Sequence, residues 1–311
     1  MSFDPTPLCG WVHDPRAQDE AMGRNDRHPI FAMANYEVKD SGKGKIRLLH
    51  KIVEQAIGSY IPLTVQTTGD CTSTGSGKII DLIKCIQIAL GGDRSLFKAV
   101  TITELIYAAS RIEIGKGQLG NDPGSIGAWC MEALRKYGAI ARDVYTVNGV
   151  KYDYTKYSGQ LADKLGSRGQ GVPDPMEAVT KEHLAHSTGL ISTYEDARDS
   201  IYQGYPILVC SQVGFASTRD ADGFAKPTGT WPHAMVFMAV DDEFRRPGLL
   251  CDNRTWGETW INGPTRHNQP GGTFWVDADT VNRMLRYNDS FNASQYDGYP
   301  DQSAKLSHIV G

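Results

Sequence analysis

The sequence predicts an α+β protein with two lobes, and two observations carry that prediction. Apolar residues recur at helical spacing through the first half of the chain. The continuous apolar runs that read as buried strands all lie after Pro206. Helices first and strands later argue against an alternating βαβ sheet.

In chain order, residues 1–60 read as an N-terminal extension that is polar and turn-rich. It holds one short apolar patch, Phe31–Ala34, and helical spacing at Leu49, Ile52, Val53 and Ile57. Ile61–Val65 then leads into Gln66-Thr67-Thr68-Gly69-Asp70-Cys71. Ile79, Leu82, Ile83, Ile86 and Leu90 mark a strong helix that Gly91-Gly92 closes. Gly75 and Gly77 weigh against its reaching back to Cys71. Further helices are expected over Thr103–Ile114 and over Ser125–Tyr137, the second stopped by Gly138. Residues 146–195 read as loop-rich, with one helix near Met176–His186. Tyr194–Tyr202 is a short helix. Strands follow at Ile207–Cys210, Ala234–Val240, Leu249–Asp252 and Thr273–Val276. The helical lobe is thus about 61–148 and the β lobe about 195–285. The polar, aromatic tail 286–311 is expected to wrap a neighbour.

The 311 residues suffice for one large core or two modest ones. Thirty-two Lys and Arg against 36 Asp and Glu give a net charge of −4, so composition points to neither a nucleic-acid nor a membrane partner. No apolar run approaches the roughly 18 residues of a membrane helix. The N-terminus has neither the basic nor the apolar region of a secretory signal, so a cytoplasmic chain is expected. The six cysteines have long, irregular gaps and no CxxC pair, which reads as free thiols and no structural zinc. No metal or cofactor is expected. Gly75-Ser76-Gly77-Lys78 fails as a phosphate loop, because Thr72 stands five residues before Gly77 and Ile79 follows Lys78. His183 and His186 lack a third metal ligand. The tyrosines and tryptophans of 256–299 read as core and interface packing.

Four residues carry chemistry. Cys71 stands just ahead of a strong helix, where the positive end of the dipole favours thiolate. Gln66, five residues upstream, can offer its amide to an oxyanion beside the backbone N–H of Cys71. His233 immediately precedes an apolar strand, a partly exposed position suited to a general base. Asn253 follows Leu249–Asp252 and can accept from the imidazole; Asp252 offers the same. Successive strand residues face opposite ways, so only one of the two is expected to reach His233. Each residue alone has a plainer reading, as packed thiol, turn histidine or turn asparagine. Their order and setting carry the information.

Gln, then Cys opening a central helix, then a distant His before a strand, then Asn ahead of a Trp-Gly pair resembles the papain-like cysteine peptidases. Ser125–Ile140 looks like that family's second lobe-one helix, and Gly204–Val209 like its first β-lobe strand; the resemblance covers about 61–285. It implies a cleft between the lobes, Cys71 as nucleophile, His233 as base and then acid, Asn253 as orienter and Gln66 as oxyanion donor. The implied substrate is a peptide or a peptidoglycan peptide. There are departures. Thr72 follows the cysteine where the family has Trp, Gln66 lies one residue closer to it, and Asn253-Arg254-Thr255-Trp256-Gly257 is one residue longer than the family's motif. The first 60 residues do not read as the family's inhibitory pro-segment.

The stretches Asp220–Phe224, Trp231–Met235, Arg246–Leu250 and Phe274–Leu285 resemble papain-fold proteins encoded by tailed phages. That resemblance implies an alternative function, a non-catalytic structural component of a phage virion in a virion or homo-oligomeric assembly. Its cleft would be plugged by the 213–231 segment or by the N-terminal extension. A Cys-His acyltransferase is a second alternative and requires an acyl-donor pocket.

Overall fold

The computed structural model describes residues 4–23 and 38–299. The Phe31–Ala34 patch and the tail beyond residue 299 lie outside the described residues.

A short helix α1 (Pro15–Gly23) comes first, and β1 (Ile46–Leu48) runs directly into α2 (Leu49–Ile57). The central helix α3 (Cys71–Ala89) follows, then α4 (Thr103–Ala108), which continues as a π-helical turn over Ala109–Ile114, and α5 (Gly127–Lys136). The hairpin β2 (Val144–Val147) and β3 (Val150–Asp153) precedes α6 (Gly159–Leu165) and α7 (Asp174–Thr180). The second half contains β4 (Ala185–Leu190), α8 (Tyr194–Tyr202), β5 (Ile207–Arg219), β6 (Ala225–Asp241), β7 (Gly248–Asp252), β8 (Thr273–Asp277), α9 (Ala278–Leu285) and β9 (Phe291–Tyr296). These strands form one antiparallel sheet in the order β4-β9-β5-β6-β7-β8, and β1 pairs with the far end of β6.

Helix α3 organises the core. It is buried nearly all round, small residues along its first half and branched apolar ones along its second. Ile79, Ile80, Leu82, Ile83 and Ile86 are fully buried. Asp81 and Lys84 are buried and Lys78 is half-buried, and each finds partners. Lys84 Nζ donates to Thr101 Oγ1 at 2.9 Å and lies 3.4 Å from Asp81, which also takes the Thr101 N–H at 3.0 Å. Lys78 reaches Asp252, at the end of β7, at 3.0 Å.

The structure departs from the sequence reading in four places. Helix α3 does begin at Cys71, glycines included. A Cβ on Gly75 would lie 2.6 Å from Leu208 Cδ1, so the missing side chain lets the helix pack close on β5. The 213–231 segment is no loop: β5 and β6 continue through it as a hairpin with register shifts. The helix near Met176–His186 stops at Thr180, and His186 sits on β4, 2.5 Å from Asp297. Residues 291–296 of the tail form β9, between β4 and β5 of the chain's own sheet. Among the described residues, no helix is long and apolar enough to cross a membrane, and all six cysteines are free thiols.

The tight contact at Gly75 yields a test. Gly75→Val should lower unfolding stability by about 1–3 kcal/mol through overpacking against Leu208. Gly75→Ala should cost less, because the Leu208 methyl can turn aside. Urea titration of both variants checks the order; equal stabilities would mean that the helix–sheet contact has slack.

Candidate active site

Cys71 is the first residue of α3, and its thiol is fully buried. The backbone of Ala234 hydrogen-bonds that sulfur, so the thiol lies beside the residue that follows His233. His233 belongs to β6, paired with Ser211 of β5. Its Nε2 is 2.8 Å from Asn253 Oδ1, and its Nδ1 has no hydrogen-bond partner. An Nε2–H that donates to the amide oxygen leaves Nδ1 as the basic nitrogen. The Trp256 ring lies over the imidazole, centroids 4.4 Å apart. The extra residue of the Asn-to-Trp segment is taken up in a 3-10 turn, Arg254–Trp256, so Trp256 still covers His233.

Asp252 faces the other way. It accepts from Lys78 at 3.0 Å, from Tyr60 Oη at 2.9 Å and from the Arg254 N–H at 2.8 Å. Burial raises its pKa, but Lys78 and Arg254 more than offset this and hold the carboxyl below its ordinary value. Strand alternation at the end of β7 thus sends Asn253, and not Asp252, to His233.

Gln66 is buried, and its amide is already engaged. Nε2 donates to the Thr68 carbonyl and to the Leu8 carbonyl, both at 2.7 Å. Leu8 belongs to a strap, residues 8–12, that crosses the site as an extended peptide. The Gly10 N–H points at Cys71 Sγ, 3.3 Å away. The Trp11 N–H donates to the Pro232 carbonyl at 3.0 Å, and Gly10 O and the Val12 N–H pair with Ser125 at 2.8 and 2.9 Å. The fit is close enough that a Cβ on Gly10 would fall 1.6 Å from the Gly69 carbonyl oxygen.

Two expectations are corrected by this strap. His233 is wholly buried, not partly exposed. The thiol is not depressed in pKa: burial pushes it far above its ordinary 9.0, against weaker lowering by the bonds from Ala234 and Gly10. Burial also pushes His233 down to about 4, although the Asn253 bond raises it. With the strap in place, thiol and imidazole are both neutral near pH 7.

Sequence reasoning missed Asp70. It is fully buried beside Cys71 and accepts from Tyr157 Oη at 3.0 Å. Burial pushes its pKa up to about 8, although the Tyr157 bond lowers it. It also missed the strap, whose contacts with the thiol, Gln66, Pro232 and Ser125 are made by backbone atoms; only a Gly-Trp pair marks it. Trp256 was visible only as half of the Trp-Gly pair.

No family model matches the sequence, and no curated protein matches it. By structure the chain is similar to xylellain, a cysteine protease from Xylella fastidiosa, with a TM-score of 0.55 at 13% identity over 95% of this chain and 99% of that one. It is also similar to a procathepsin B from Trypanosoma congolense, with a TM-score of 0.49 at 12% identity over 95% of this chain and 85% of that one. The first match shows the fold: a papain-like arrangement of a helical lobe followed by an antiparallel β lobe.

Asp70 gives a pH test. In an unfolded chain its proton leaves near pH 3.8, whereas in the fold it is kept to about pH 8. The stability it contributes is therefore complete below pH 3.8 and fades as pH rises towards 8. Asp70→Asn keeps an acceptor for Tyr157 and removes the titration. Wild-type stability should fall relative to Asp70→Asn across that window in denaturant unfolding; parallel curves would show that Asp70 is ionised in the fold.

Proposed function

We propose that the chain is a papain-like cysteine peptidase that hydrolyses an amide bond once the strap has left the cleft. The observation that carries the reading is the His233–Asn253 bond at 2.8 Å, with the unpartnered Nδ1 on an imidazole whose next residue touches the Cys71 thiol. His233 Nδ1 takes the thiol proton, and Cys71 Sγ attacks the amide carbonyl carbon. The oxyanion rests on Gln66 Nε2 and the Cys71 backbone N–H. The C–N bond breaks as the imidazolium gives its proton to the leaving amine. Water then attacks the thioester, His233 takes its proton, and the acid and the thiol are released. Asn253 holds the ring so that Nδ1 faces the sulfur, and Trp256 shields that bond from water. The substrate class is a peptide, with a peptidoglycan stem peptide inside that class.

The plugged cleft favours a second reading, a papain-fold structural protein of a phage virion that keeps these residues without turnover. One experiment separates the two. Gly10→Ala drives a methyl group into the Gly69 carbonyl and expels the strap. In that full-length background, Cys71 should react with a thiol-directed electrophile faster than the other five thiols below about pH 7. Adding His233→Ala should slow peptide hydrolysis by about 10²-fold or more. Adding Gln66→Ala should slow it by about 10²–10³-fold while the thiol stays reactive. A Cys71 that is exposed in Gly10→Ala yet no more reactive than an ordinary thiol would overturn the peptidase and support the second reading.

A further inference from the structure

The strap's backbone bonds are of a kind that any peptide or water can exchange. Its side-chain anchor is different. Trp11 is 2% exposed, and its Nε1–H donates to Asp289 Oδ2 at 2.7 Å. Its ring packs in a triangle with His13 and Tyr287, 5.3 Å from each between centroids, and those two lie 5.2 Å apart. Asp289 precedes β9 and is itself fully buried. Its carboxyl also takes the Gly127 N–H on Oδ2 and the Ala128 N–H on Oδ1, both at 2.7 Å. These are the first two residues of α5, a helix with no side-chain cap from its own N-cap residue. The remote Asp289 carboxyl serves as that cap. The Gln18 side chain of α1 also lies against it. Of the three donors above, two are fixed by the helix and only the indole belongs to the strap.

We propose that Trp11 is a latch: its indole, seated on Asp289, keeps the 8–12 strap across Cys71, and release of that one side chain opens the cleft. The inference rests on Cys71 as the reactive thiol of the proposed peptidase. The socket does not depend on the strap, because the α5 N-terminus holds Asp289 in place by itself. The strap is also tethered. Helix α1 begins three residues after Val12, started by Asp14, whose Oδ1 takes the Ala17 N–H at 3.0 Å, and Ala17 and Ala21 are buried. A released strap therefore stays at high effective concentration near its socket, and closure is the resting state. In the closed strap the sulfur accepts the Gly10 N–H at 3.3 Å.

The test uses the full chain. Trp11→Phe keeps an aromatic ring in the socket and removes the N–H. Hydrogen exchange over residues 8–12 should rise, and modification of Cys71 by a small neutral thiol reagent should quicken by about tenfold or more, the loss of one buried hydrogen bond. Unchanged exchange would show that Trp11 is not the anchor. Faster exchange with an unchanged Cys71 would show that something other than the strap closes the cleft. Either result overturns the latch. Each variant is also made with His233→Ala. If opening exposes Cys71 equally with and without His233, the latch stands and the peptidase reading fails. Should Trp11→Phe not fold, the wild-type chain serves: the Gly10 and Trp11 amides and the Cys71 thiol should become accessible with one common opening free energy, and different values would overturn the latch.

Discussion

Everything at the site depends on burying the N-terminal end of α3. That helix is buried on nearly every side, so it is stable only with the lobes packed around it. Gly75 sets how closely it approaches β5, and the Lys78–Asp252 pair ties its first turns to the end of β7. Asn253 is the next residue of that strand end, and the thiol opens the helix. The contact that joins helix to sheet thus also sets the distance from sulfur to imidazole. Asp252 has a structural task that leaves Asn253 the one able to face His233.

The same burial works against ionic chemistry. A thiol and an imidazole sealed from water resist charge in opposite senses, the first holding its proton and the second refusing one. Cys71 and His233 show both effects. The helix N-terminus and two backbone N–H groups favour thiolate, but desolvation outweighs them while the strap excludes water. Asp70 adds to this, because its ionisation would place a second negative charge beside the sulfur. Burial holds it protonated instead.

Much of this was legible in the sequence. The order Gln66, Cys71, His233, Asn253, with a helix after one and strands around the others, carries the two-lobed fold and the constellation that the structure gathers. Strand alternation says that only one of Asp252 and Asn253 reaches His233, and the structure shows it to be Asn253. The rest was hidden for physical reasons. Glycine's poor helix propensity spoke against a start at Cys71, and tertiary packing overrode it. Strands β4 (Ala185–Leu190) and β9 (Phe291–Tyr296) are mostly small or polar residues with little apolar alternation, so no period marks them. His233 looked exposed because β6 was expected to begin beside it; the strand begins eight residues earlier, at Ala225. The strap was invisible because its contacts in the cleft are largely backbone to backbone, and those do not depend on side-chain identity.

The strap ties access to activation. A conventional plug denies a substrate entry and leaves the groups beneath it ready. Here the groups are silenced as well, since the desolvation that holds thiol and imidazole neutral comes in part from the strap itself. Gln66 is occupied in the same step, its Nε2 held by the Leu8 carbonyl. In the proposed peptidase, departure of five residues would admit water to the sulfur, let the thiol and Nδ1 exchange a proton, and free Gln66 Nε2 from the Leu8 carbonyl. Nucleophile, base and oxyanion site would then form one switchable unit, its closed state set by peptide backbone and, on the latch we propose, its release set by a single indole.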